Sequence, residues 1–245
     1  MIEKLGTIPI PPYLKRESTE TDKQTYQTVF AAVEGSVAAP TAGLHFTPEL
    51  MGGLASGGTG FLAVSLHVCA GTFKPVKSET LSGHDMHAEW LDVYYESINW
   101  LRNSLDKPII SIGTTSLRAL ESLYWMGLKT LLDPGISLRA LEIEQWEVYD
   151  LAKHEKAPAE CLEALLSWMQ KNGLRRLSCR TRILIAPPYE LKLAKGLITN
   201  FHQPQSTLLL IIAAVAGTEW KRIYEYALSH DFRFLSYGDS SLLLK

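Results

Sequence analysis

The sequence predicts an α/β protein with a mainly parallel sheet, flanking helices and a distorted or incomplete barrel closure. Two observations carry that reading. Short apolar runs of strand length alternate with helix-length segments through most of the chain, the pattern of repeated strand and helix units. Four of the runs also stop in polar turns: PTAGLHF at 40–46, LHVCAGTF at 66–73, SIGTTSLRALES at 111–122 and LITNFHQPQST at 197–207. Strands that end alike in Thr, Gly, His, Ser or Asn place a site along the carboxyl edge of one sheet, so an enzyme is the leading expectation.

The elements follow in order. Residues 7–14 (TIPIPPYL) are extended because Pro9, Pro11 and Pro12 exclude helix. A helix is expected over 22–33 and a short strand over 36–39, feeding the first polar turn. Thr47, Pro48 and Glu49 supply an N-cap, a first-turn proline and an acidic first turn, so a helix begins there. After the link containing Gly57, Gly58 and Gly60, a strand is expected over 61–68, then a helix over 94–104. A buried strand at 108–112 leads to Thr114, Thr115 and Ser116, which cap a helix running to about Met126 and closed by Gly127. Alternation of Leu141, Ile143, Trp146 and Val148 predicts a bulged strand. A helix over 159–171 ends at Gly173, and strands at 182–186 and 196–200 are turned around Pro187 and Pro188. Helices over 206–216 and 220–229 precede a last strand near 232–236.

Composition fits without choosing the chemistry. With 245 residues, 46% hydrophobic and 20% charged, the chain buries a full core and reads as a single α/β domain over 1–245, with an extended and helical lead-in over 1–35. A net charge of −2 gives no long-range attraction for a polyanion. Cys69, Cys161 and Cys179 are odd in number and form no CxxC pair, which points to a reducing, cytoplasmic location. No signal peptide or membrane span is expected, since the longest apolar stretch, 208–216, is about half of a spanning helix.

Several groups carry chemistry. Gly113, Thr114, Thr115 and Ser116 stand between a strand and a helix, where backbone N–H groups and hydroxyls either hold a carboxylate or phosphate or simply cap the helix. Arg118 and Glu121, three apart, either face one cleft or form a surface ion pair. His45 and His202 each follow a strand and precede a helix start, positions suited to general acid–base work or to a structural role. His84, His87 and Glu89 have an HxxHxE spacing that invites a metal reading, but the HExxH frame and a third ligand at a telling distance are missing, so no metal is expected. Asp239 either binds a ribose hydroxyl or caps a turn. The run Arg175, Arg176, Arg180, Arg182, with Lys171 nearby, is either a phosphate-backbone patch or a solvated face.

Six ordered blocks, VAAPTAGLHFTPEL, SLHVCAGTFKPV, HDMHAEW, IGTTSLRALES, GLITNFHQPQSTLL and FRFLSYGD, run from Val37 to Asp239. Together they resemble the S-adenosylmethionine:tRNA ribosyltransferase-isomerase family of queuosine biosynthesis. The resemblance implies that the ribosyl part of S-adenosylmethionine, the co-substrate, moves to the aminomethyl group of a 7-deazaguanine at the wobble position of tRNA with a GUN anticodon. Epoxyqueuosine forms, and adenine and methionine leave. A sulfonium acidifies the adjacent ribose 5′ carbon, so such a site needs a base for that carbon, an acid for departing adenine and donors for ribose oxygens. On this resemblance His45 and His202 are the expected catalytic residues, and Thr114, Thr115, Ser116 and Arg118 hold the methionine carboxylate or a tRNA phosphate. Asn200 and Asp239 bind ribose or the deazaguanine edge, and Thr41, Gly43, His67, Thr72, Phe73, His87, Glu89, Ser206 and Tyr237 complete the substrate contacts.

The chain departs from the family pattern in two places. It starts at the LPPY-like segment matched by residues 10–14, so the family's usual amino-terminal part and inserted β-domain are expected to be absent, and residues 133–180 read as an extended insertion. Lost strands leave a sheet edge to be covered by a partner chain or by the absent region. Two other readings stand beside the transferase: a non-catalytic binding paralogue or half of a split enzyme, and a metal-dependent hydrolase using His84, His87 and Glu89.

Overall fold

The computed structural model describes residues 10–11, 14, 16–31, 39–67, 83 and 85–245. The expected extended start at 7–9, most of the strand at 36–39, the turn at 68–73 with Thr72 and Phe73, and His84 lie outside the described residues, as does the His67 side chain.

The first described helix, α1, is a single turn at Asp22–Thr25 and not the long helix expected from 22. The helix predicted from Thr47 forms as α2, Pro48–Ser56, with the Thr47 hydroxyl accepting from the Leu50 N–H at 3.2 Å. Strands β1 (Ser65–His67) and β2 (Glu89–Tyr94) follow, then helix α3 (Tyr95–Arg102), strand β3 (Ile110–Ile112) and helix α4 (Thr114–Leu132). Beyond them come α5 (Glu147–Leu151), α6 (Pro158–Lys171), β4 (Arg176–Thr181) and β5 (Gly196–Asn200). Helices α7 (Thr207–Ala216) and α8 (Trp220–Ser229) and strand β6 (Ser240–Leu244) complete the chain.

The class is α/β, but the strand directions correct the expected parallel sheet. Among the described residues the strands form two three-stranded sheets, ordered β1-β2-β4 and β3-β5-β6, with no barrel closure between them. Only β3 with β5 is parallel; β1 with β2, β2 with β4, and β5 with β6 are antiparallel. The reason lies in β2 and β4, which bury Leu91, Val93, Leu177 and Cys179 while exposing Trp90 and Tyr94. Strands with one wet face suit an antiparallel sheet, whereas a parallel sheet is covered on both sides.

The core centres on α4. Leu117, Leu123, Trp125, Met126 and Leu128 pack with Leu162, Leu165 and Met169 of α6 and with Leu91 and Leu177 of the first sheet. The helix runs six residues beyond the predicted end at Met126 because Gly127 is a helix-crossing residue and not a cap. A Cβ there would stand 2.2 Å from the Cys161 carbonyl oxygen, so glycine lets α4 and α6 approach closely. At the other end the N-cap is Gly113, with φ of 89°, and no side chain caps the first turn; Thr114, Thr115 and Ser116 are inside the helix.

Three further expectations are corrected. The bulged strand at 141–148 is instead a 3₁₀ turn at Arg139–Leu141, a single bridge from Ile143 to Thr181, and α5. Its alternating apolar residues dock across the end of β4 without continuing as a ladder. Residues 183–186 are buried, but the segment 182–186 sits outside the sheets, with the Arg182 and Leu184 N–H groups donating to Ile143 and Gln145 carbonyls at 2.8 and 3.2 Å. The last strand is displaced to β6 because Asp231 and Leu235, with φ of 58° and 72°, break any extended run at 232–236.

Candidate functional site

The parallel pair creates one shared edge. Ile112 lies opposite Ile198, and the Gly113 N–H donates to the Ile198 carbonyl at 2.8 Å. The start of α4 and the end of β5, carrying Thr199 and Asn200, therefore emerge side by side. A 3₁₀ turn at Thr41–His45 lies against the same edge, with Ala42 at 3.7 Å from where a Gly113 Cβ would be. Gly43 is needed in that turn, since a Cβ would stand 3.0 Å from the Phe30 ring and 3.1 Å from the Thr28 methyl. Its role is to shape the turn.

Asn200 joins the turn to the strand. The Thr41 hydroxyl donates to Asn200 Oδ1 at 3.1 Å, and Asn200 Nδ2 lies 3.0 Å from His45 Nε2. Burial holds the His45 imidazole below its ordinary value; the nearby Asp239 charge opposes this and Arg233 reinforces it. Asp239 precedes β6 and does not end a strand as expected. Its carboxylate accepts from the Arg233 N–H at 2.7 Å and from its guanidinium at 3.2 Å, which together hold the carboxyl below its usual range.

His202 leaves the end of β5 two residues later. Its Nε2 lies 2.9 Å from the Thr199 hydroxyl, and its N–H donates to the Tyr224 hydroxyl at 3.0 Å. Burial pushes its imidazole down to about 4, so the ring is neutral at neutral pH. The sign of the linked stability follows. The unfolded chain gains a proton at this histidine as pH falls below about 6.5, while the folded chain does not until about 4; stability is therefore lost on acidification across that window, by up to about 3 kcal/mol. Urea melts from pH 7 to pH 4 are expected to show this loss, and His202→Gln is expected to flatten it.

A second cluster stands behind the start of α4. Arg118 and Glu89 form a buried ion pair, Nη1 to Oε2, at 2.8 Å, and Arg118 Nε donates to the Ile183 carbonyl at 3.0 Å. His87 Nε2 lies 3.3 Å from Glu89 Oε1. Burial pushes the Glu89 carboxyl up, but Arg118, His87 and the Thr115 hydroxyl together bring it below its ordinary value. Arg118 Nη2 is buried without a hydrogen-bond partner. Among the described residues no three His, Cys, Asp or Glu side chains converge in the manner of metal ligands; Glu89 is committed to Arg118.

Other expected site residues make internal contacts. The Ser206 hydroxyl caps α7, accepting from the Leu208 N–H at 3.1 Å. The Tyr237 hydroxyl donates to Asp22 Oδ1 at 2.8 Å, where Arg16 also donates through two nitrogens at 2.7 and 2.8 Å. Glu121 faces neither the cleft nor solvent; it is fully buried and accepts from the N–H groups of Lys192, Leu193 and Ala194 and from the Tyr189 hydroxyl. In the basic run, Arg176 pairs with Asp92 at 3.6 Å, Arg180 with Glu142 at 2.7 Å and Arg182 with Asp85 at 3.6 Å, so three of its charges are locally balanced. Thr199 and Tyr224, which hold His202, escaped the sequence reading. The three-residue spacing from Thr199 to His202 was the one signal that could have exposed Thr199.

Residues 1–243 match the family described as queuosine biosynthesis protein. The S-adenosylmethionine:tRNA ribosyltransferase-isomerase of Sulfurihydrogenibium sp. (strain YO3AOP1) is 37% identical over 246 residues, covering 99% of this chain and 59% of the relative. The protein of the same name from Phenylobacterium zucineum (strain HLK1) is 40% identical over 247 residues, covering 99% of this chain and 57% of the relative. A crystal structure of S-adenosylmethionine tRNA ribosyltransferase from Thermotoga maritima is similar with a TM-score of 0.53 and 29% identity, covering 83% of this chain and 51% of that one. The chain thus spans roughly three-fifths of the length of these curated relatives. With its match running through nearly every residue, and with three of the quoted blocks meeting at one edge through Thr41, His45, Gly113 and Asn200, the chain belongs to the queuosine biosynthesis protein family.

Proposed function

We propose that this chain carries the catalytic edge of a transferase that moves and isomerises the ribosyl group of S-adenosylmethionine onto 7-aminomethyl-7-deazaguanine in tRNA, releasing adenine and methionine. The observation that carries the reading is the linkage of Thr41 and His45 through Asn200 to the end of β5, beside a nineteen-residue helix whose first turn has no side-chain cap. Uncapped N–H groups and the positive end of α4 suit the methionine carboxylate, and Arg118 of the same helix has a buried Nη2 donor without a partner. His45 and His202, whose imidazoles burial holds below their ordinary value, are the groups available for proton transfer at the ribose 5′ carbon and at departing adenine. The acceptor is tRNA with a GUN anticodon, and the working compartment is the cytoplasm. Asn200 and Asp239 are already engaged by Thr41, His45 and Arg233, so their part is to shape the site more than to grip ribose directly.

One observation favours a second reading, in which this chain works with a covering segment or partner chain. Strand β6 pairs only with β5 among the described residues and exposes Leu242 and Leu244, an edge such a partner would cover. Incubation with S-adenosylmethionine and precursor tRNA tests both readings. Adenine release that falls about 10²–10⁴-fold in His45→Ala and in His202→Ala is expected. Unchanged turnover in both variants would sink the assignment. Ligand binding by calorimetry with no release from the wild-type chain would point to the partnered form.

A further inference from the structure

We propose that Asn200 fixes the tautomer of His45, so that His45 meets its substrate as an N–H donor through Nδ1 and not as a proton acceptor. This rests on the reading of His45 as a site residue and goes beyond it by dividing the work between the two histidines.

The argument is one of donor and acceptor capacity. Asn200 is buried at the end of β5. Its Oδ1 meets the Thr41 hydroxyl at 3.1 Å, and its Nδ2, which can only donate, faces His45 Nε2 at 3.0 Å. Nε2 must then supply its lone pair, and a neutral imidazole with that lone pair engaged carries its proton on Nδ1. Thr41 and His45 are the first and last residues of one 3₁₀ turn, so a single amide clamps both ends of the turn. His45 has no lone pair left for an incoming proton. Its Nδ1–H is suited to stabilising negative charge that develops on a substrate oxygen or nitrogen.

His202 differs. Its Nε2 meets the Thr199 hydroxyl, which can donate or accept, so no tautomer is imposed on it. Proton abstraction therefore falls to His202, and Asn200 is a positioning residue for His45.

Selective ¹⁵N-histidine labelling of the whole, ligand-free chain, with His45 assigned by His45→Gln, reads the tautomer by long-range ¹H–¹⁵N correlation. The wild type is expected to show a protonated Nδ1 and an unprotonated Nε2 at His45. Asn200→Asp keeps the shape but replaces the N–H donor with an acceptor, so the proton is expected to move to Nε2 and the His45 titration midpoint to rise by about one pH unit or more. The Asp239 and Arg233 charges that act on His45 remain in place in that variant. A proton on Nε2 in the wild type, or an identical pattern in Asn200→Asp, overturns the proposal, and the wild-type spectrum alone decides it should the variant not fold. None of these readings needs turnover. A chain with Nδ1-protonated His45 and neither S-adenosylmethionine binding nor adenine release would defeat the proposed function while leaving the tautomer assignment standing.

Discussion

Arg118→Met is expected to destabilise the fold by about 3–5 kcal/mol, because it leaves Glu89 buried without its counter-charge. Both side chains are 4% exposed, so water cannot replace the lost partner, and the Ile183 carbonyl loses its donor as well. The double variant Arg118→Met, Glu89→Leu is expected to recover most of that loss, since two apolar groups of similar volume remove both desolvation penalties at once. Urea unfolding of the two single variants and the double variant measures the coupling directly. Equal destabilisation in the single and double variants would show that Arg118 acts through packing and not through its charge. On the proposed function, adenine release gives an independent readout, since the double variant restores stability without restoring the buried Nη2 donor.

Glu121→Ala is expected to cost at least about 3 kcal/mol, counting about 1–3 kcal/mol for each buried donor left unsatisfied. Those donors are three consecutive N–H groups, from Lys192 to Ala194, and the Tyr189 hydroxyl, which also accepts from the Trp125 indole at 2.7 Å. Burial holds the Glu121 carboxyl above its ordinary value, with its four donors opposing that. Glu121→Gln retains one acceptor oxygen and turns an NH₂ group toward donors, so it is expected to fall between wild type and alanine. Amide hydrogen exchange at residues 192–194 should quicken most, because those protons lose their acceptors while the helix around residue 121 persists. Exchange rates unchanged at these three amides would count against the network.

The sequence is legible where one signal fixes one outcome. Thr47 with Pro48 marked a helix start, and Ser206 marked another, because a capping hydroxyl and its acceptor geometry are local. Strand 196–200 was read to the residue. Strand direction was not legible, since a polar turn looks alike whether the next partner runs parallel or antiparallel. Gly127 was misread for a related reason: glycine ends helices and also permits close crossings, and only the position of Cys161 tells the two apart. At the site, His45, Asn200 and His202 were found from the polar turns, but their partners were not. Thr199 and Tyr224 become neighbours of His202 only through a strand end and a distant helix, and Asp22 becomes the anchor of Tyr237 across the whole chain.

The contacts that complete the site also have a temporal meaning. Thr41 and His45 reach Asn200 across 159 and 155 residues, and Tyr237 reaches Asp22 across 215, whereas Gly127 and Cys161 in the helical core are 34 positions apart. Closing long loops costs chain entropy before any contact is gained, so the helical core can condense early while the three-way junction at Asn200 forms late. The chain is then chemically silent through most of its folding. The junction at Asn200 would be the last feature it acquires and the first it loses.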